Sequence, residues 1–246
     1  MENQRDYKRN LVAGMIGAFF MMLGDLSLSL IVPSDADAGL FLREGYLNGG
    51  YASWRAVFLV LTGLVGVCGY WYGLKAIHDS VDDAYKETKK CFHYCSMMFC
   101  FTSLAIHFAI AAGAYITTYV SVNIGREEAI AMAIDYANHI LPAFYIAYLP
   151  MAFIFLYQLI MTVRGKTIYS RRMLIFSPLI WMGIFVLVPD IRQMSGGSIS
   201  VVDYVMTQCS GNAAPFLYFL ACIILPDKFK YKESLLVMMR KQIKDI

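Results

Sequence analysis

Charge is scarce in this sequence. Lys, Arg, Asp and Glu make up 16% of its 246 residues, where a soluble domain carries about 25%. A conventional soluble domain is therefore excluded, and 59% hydrophobic residues point the same way. Histidine is also sparse: there are four, and two of them, His78 and His93, fall at one membrane edge. There is no His-Glu-x-x-His, no His-x-x-x-His and no Gly-x-Ser-x-Gly, so neither a multi-histidine zinc hydrolase nor a nucleophile-elbow hydrolase is expected. Opposed histidines at one depth, as a haem needs, are missing too. Neither a metal nor a cofactor is expected, and nothing suggests nucleic-acid binding. Six cysteines are present, none in a long outward loop, so no disulfide framework is implied. Cys91 and Cys95, one helical turn apart, read as two small apolar residues.

What is abundant is apolar runs of about 20 residues, the length that crosses a hydrocarbon core of about 30 Å. Six spans are expected, at about 11–33, 56–76, 95–119, 138–163, 172–189 and 205–225. The basic start with Arg5, Lys8 and Arg9 resembles a signal peptide, but the following apolar run exceeds the usual h-region of about 7–15 residues. It reads as an uncleaved first span. With these spans, 17 of the 21 Lys and Arg residues fall on one side. The other side holds Arg43, Arg55, Arg126 and Arg192. The positive-inside rule then puts both termini in the cytoplasm. The expected fold is an all-α polytopic membrane protein, a single six-helix bundle over residues 1–225. A basic amphipathic tail, 226–246, is expected to lie on the inner leaflet.

The connections read as follows. The outward loop 34–54 reads as solvated, with a short interfacial helix in Leu-Phe-Leu-Arg-Glu-Gly-Tyr-Leu. Its Asp35-x-Asp37-x-Gly39 opens like a calcium loop but lacks the later ligands. Residues 79–90 read as a cytoplasmic helical extension, with Asp82 and Lys86, then Lys86 and Lys90, one turn apart. The second span carries Gly63, Gly66, Gly69 and Gly73 on a stripe about 120° wide. Such a stripe lets a neighbouring helix come close. Packing inside the monomer is the first expectation and a homodimer seam the second. Tyr70, Trp71 and Tyr72 read as an inner interfacial belt. Pro142 and Pro150 should kink the fourth span and free backbone carbonyls.

One carboxylate, Asp25, lies inside the first span. A charge there costs roughly 3 kcal/mol on insertion scales and so marks a buried, partnered position. His107 in span three and Asn212 in span six fall within the same slab, about 5 Å deep at 1.5 Å per residue. His139, Tyr145, Asp190, Arg192 and Gln208 come above them. An outward-facing polar pocket is expected, with Asp25, His107, His139, Tyr145, Asp190, Arg192 and Asn212 as its candidate ligand-binding residues. A buried Asp25–His107 pair with an Asp190–Arg192 salt bridge at the lip is the purely structural alternative. The pocket would bind a small molecule or a lipid headgroup. A secondary transporter, or an enzyme using Asp25 and His107 as an acid–base pair, are the competing functions.

Gly24-Asp25, Pro189-Asp190 and Gly211-Asn212 together resemble an uncharacterised family of six-span bacterial integral membrane proteins. That resemblance covers the whole chain and implies a multi-pass protein of a bacterial inner membrane. It implies no activity.

Overall fold

A computed structural model describes residues 2–30, 42–197 and 200–225. The calcium-like Asp35–Gly39 segment and the amphipathic tail lie outside the described residues. The described chain forms helices α1 (Glu2–Ser29), α2 (Glu44–Leu47), α3 (Trp54–Asp79), α4 (Lys86–Asn123), α5 (Arg126–Val163), α6 (Pro178–Met194) and α7 (Val201–Ile224). Short 3-10 turns precede α4 and α6. Five segments are long and apolar enough to cross a membrane: Arg5–Leu28, Trp54–Asp79, Asp83–Asn123, Arg126–Val163 and Arg171–Met194. Helix α7 is not among them, because Thr207, Gln208, Ser210 and Asn212 dilute its apolar content.

The long helices pack in a ring. Helix α1 lies between α3 and α7, α3 leads to α4, α4 to α5, and α7 to α6. The ring nearly closes where α5 and α6 graze each other. Two connections meet at one end: Val81 pairs with Thr167, and the Asp82 amide donates to the Lys166 carbonyl (2.9 Å). The Tyr7 and Tyr169 hydroxyls also meet there. Nearby, Gln158 donates to Tyr218 (2.8 Å) and Thr162 (3.1 Å), so the inner polar residues form one small buried network.

The closest packing is between α1 and α3. A Cβ added to Gly69 would fall 2.5 Å from the Gly17 Cα, and one added to Gly17 would fall 2.6 Å from the Gly66 carbonyl oxygen. The stripe on α3 therefore faces glycines of α1, backbone against backbone. This is the small-residue packing that replaces hydrophobic association where the solvent is itself apolar.

Several local expectations are corrected. Residues 42–51 are not a solvated loop: Arg43, Tyr46 and Tyr51 are buried. Helix α2 caps the turn of the α4–α5 hairpin, and Arg126 donates two hydrogen bonds to Glu44 (2.9 and 2.8 Å). That hairpin turns at Ile124 and Gly125, so most of what reads as a loop before span four is helix. At 38 residues each, α4 and α5 are about 57 Å long, well beyond the hydrocarbon core. Their outer halves stay helical because Ala129, Ala133 and Ala137, one turn apart and buried, let α4 approach.

The polar segment breaks at Ser80–Asp82 instead of continuing as helix. Its ion pairs are Lys75–Asp79 (2.6 Å), Lys89–Asp83 (2.8 Å) and Lys90–Glu87 (2.9 Å). The Val81–Thr167 pairing competes with the helix there and wins. Helix α5 runs through Pro142 and Pro150 unbroken. Thr102 of α4 donates to the Ala147 carbonyl (3.3 Å) in the turn before Pro150.

Replacing Gly69 with leucine should destabilise the protein by the upper end of roughly 1–3 kcal/mol, because the new side chain meets backbone that cannot rotate away. Gly183→Ala, whose Cβ meets nothing within 4 Å, is the control. Thermal unfolding in detergent should separate the two; equal stability would mean that the α1–α3 contact does not hold the bundle.

Candidate functional site

A cavity of about 380 Å³ lies inside the ring, within the roughly 300–1,000 Å³ range of ligand pockets. Helix α1 lines it with Met21, Asp25 and Leu28, spaced by four and three residues and so on one face. Ser103 and His107 enter from α4 and share a face for the same reason. Tyr148 and Met151 enter from α5, Met182 from α6, and Thr207, Gln208, Ser210, Gly211 and Asn212 from α7.

A hydrogen-bonded line crosses the bundle here. The Tyr70 hydroxyl donates to Asn212 Oδ1 (2.9 Å). Asn212 Nδ2 donates to Asp25 Oδ2 (2.7 Å). Asp25 Oδ1 then lies 3.7 Å from His107 Nε2, a close electrostatic contact but longer than a hydrogen bond. The amide orientation follows from its neighbours: the Asn212 carbonyl must face the hydroxyl donor, and its NH₂ must face the carboxylate. Asp25 keeps 16% side-chain exposure and His107 only 6%, so the carboxylate is the group a cavity occupant can reach.

The imidazole occupies a slot made by glycines. A Cβ on Gly63 would come 3.1 Å from His107 Nδ1, and one on Gly24 would come 3.5 Å from its Cε1. Leu59 supplies a backbone carbonyl beside the ring. Gly63 therefore does more than allow helices to approach, because its missing side chain is where His107 fits.

Asp25, His107 and Asn212 converge, and Gln208 lines the same cavity. The other candidates lie elsewhere. His139 is 79% exposed beside Asp135 on α5. Tyr145 is 69% exposed on the outside of α5; Tyr148, on another face of that helix, is the tyrosine at the cavity. Asp190 is exposed on α6.

Arg192 does not pair with Asp190. It donates to Asp203 (2.8 Å), the N3 residue of α7, which forms a capping box with Ser200. The Ser200 hydroxyl and amide, with Arg192, hold the Asp203 carboxyl below the usual carboxylate range. The cap is thus fully formed at neutral pH and weakens as the pH falls through that lowered value.

Tyr70 is the residue that the interfacial-belt reading misplaces. It is 1% exposed. Its signal in the sequence is its position four residues after Gly66 and three before Gly73, on the buried stripe. Helical side chains lean toward the helix N-terminus, which carries its hydroxyl to Asn212.

The chain belongs to a family of unknown function (DUF6796), which matches residues 1–222. No curated protein and no solved structure matches it.

Asn212→Leu should remove a hydrogen-bond partner from the Asp25 carboxyl and from the Tyr70 hydroxyl at once, destabilising the protein by about 2 kcal/mol. Tyr70→Phe, which removes one neutral donor, should cost about 1 kcal/mol. Unfolding in mixed micelles would measure both, and a neutral Asn212→Leu would mean that the line is not a structural link.

Proposed function

We propose, from a family that carries no assigned activity, that this protein crosses the membrane six times with both termini in the cytoplasm. Within its bundle it binds a small molecule or a lipid headgroup in an outward-facing polar pocket. The observation that carries the reading is the cavity itself: a carboxylate held by Asn212, next to a buried histidine, in a space large enough for a ligand. Ionisable groups inside a bundle are expensive and tend to mark functional sites. A purely structural pair would need no such space beside it.

The six-span reading is supported by the charge distribution. Arg5, Lys8, Arg9, Lys75, Lys86, Lys89, Lys90, Arg164, Lys166, Arg171 and Arg172 belong to the end where the Val81–Thr167 connection and Tyr7 meet. Arg43, Arg55, Arg126 and Arg192 belong to the other. Helix α7 returns the chain to the first end if it spans. Its polar residues are compatible with that, since Asn212, Ser210 and Thr207 line the cavity and not the bilayer face.

Reporter fusions at Gly49 and Lys166 should report opposite sides, and a fusion after Ile246 should agree with Lys166. Agreement between Gly49 and Lys166, or a tail on the Gly49 side, would overturn the topology. For binding, native mass spectrometry of protein released from its own membranes should show a one-to-one adduct. Asp25→Asn should lose that adduct while keeping its thermal stability within a few degrees. If the parent carries no adduct and Asp25→Asn only destabilises, the pair is structural and the reading fails.

A further inference from the structure

We infer that the occupant of this cavity is an amphiphile with a protonated amine head, and that it enters from the bilayer between α5 and α6. The inference rests on reading the cavity as a binding site, and it names the class of ligand and its route.

The head follows from which hydrogen-bonding groups face the cavity. Asp25 lines the cavity, and its carboxyl, ionised beside a cation, accepts hydrogen bonds on both oxygens. Two hydroxyls in the same lining have their hydrogens committed elsewhere. Thr207 donates to the Asp203 carbonyl (3.1 Å) and Ser210 to the Thr207 carbonyl (2.8 Å). Each therefore turns lone pairs toward any occupant. Among the described residues lining the cavity there is no Lys or Arg. An anionic head would meet Asp25 with no Lys or Arg in the described lining to offset it, and His107 already faces Asp25, in surroundings where charge repulsion is weakly screened. An ammonium offers three donors, enough for Asp25 and the two hydroxyl oxygens, and forms a charge-assisted hydrogen bond with Asp25.

The rest of the ligand follows from the walls. Met21, Leu28, Ile106, Met151 and Met182 surround the polar end with apolar, partly flexible side chains. A small hydrophilic amine would leave that surface uncovered. An alkyl chain covers it.

The route follows from the ring. Helix α6 packs along α7 and only grazes α5. Of its residues only Pro178 and Pro189 are buried. Tyr148 and Met151 stand on one side of this thin contact and Met182 on the other, and all three line the cavity. A Cβ on Gly183 meets nothing within 4 Å. A tail can therefore lie between α5 and α6 while its head reaches Asp25. A polar headgroup crossing from bulk water would not need that seam.

The test uses the full chain in phosphatidylcholine nanodiscs. Two probes share a twelve-carbon chain bearing a photoreactive diazirine and differ only in the head, one a primary amine and the other a carboxylate. The amine probe should label peptides containing Tyr148, Met151 and Met182 at least tenfold more than the carboxylate probe. Asp25→Asn should lower that labelling at least fivefold. So should Gly211→Phe, which fills the cavity from a position whose Cβ has open space within 4 Å. The second variant keeps the test decisive if the first folds poorly. Equal labelling by both heads would overturn the amine assignment. Amine labelling unchanged in Gly211→Phe would mean that the probe reacts from the bilayer, and would overturn occupancy of the cavity. Ethanolamine binding lost in Gly211→Phe, with no labelling by the long-chain amine, would overturn the bilayer route and the amphiphile but leave the binding-site reading standing. No labelling, with no adduct in the native mass spectrum, would overturn both.

Discussion

Everything at the centre of this protein depends on how closely α1 and α3 approach. Glycines on both helices remove the side chains that would hold them apart, so Gly17 sits against Gly66 and Gly69 at backbone contact. Dispersion between surfaces that fit this closely supplies attraction at the contact. The same closeness gives the imidazole its place. His107 arrives from α4 and fits where Gly24 and Gly63 lack side chains, and that puts its Nε2 beside Asp25. A side chain at Gly63 would press on the imidazole, since its Cβ would fall 3.1 Å from His107 Nδ1.

The polar line from Tyr70 through Asn212 to Asp25 ties α3, α7 and α1 into one unit. Its members are costly to bury singly and tolerable only together, because each donor has an acceptor of matching type. Asn212 is the hinge of this logic. It is the one residue that both accepts from the hydroxyl and donates to the carboxylate. An aspartate there would set two carboxylates face to face, and a leucine would take one hydrogen bond from each neighbour.

The bundle is packed unevenly. Helices α1, α3 and α7 are packed tightly around the polar line. Helix α6 lies on the outside with most of its surface uncovered. Regions with few buried contacts open at lower free energy than the core does. The carboxylate is thus carried by the rigid part of the molecule, while the wall most easily displaced is α6.

The sequence alone determined the all-helical class and its long apolar helices, since runs of about 20 apolar residues with so little charge have few other solutions. It also determined the depth of Asp25, His107 and Asn212, because rise per residue converts position into depth. Depth does not give direction around a helix or the identity of a neighbour, and there the readings diverged. Depth suggests His139, Tyr145 and Asp190, yet they are exposed and outside the cavity lining, and Arg192 meets Asp203 in place of Asp190. The aromatic neighbours of Tyr70 suggest an interface, but its place on the glycine stripe puts it inside. The burial of Arg43 and Tyr46, the break at Ser80–Asp82 and the Val81–Thr167 pairing were invisible for a common reason. Each depends on a contact between segments far apart in the chain, and only the packed bundle decides which of those segments meet.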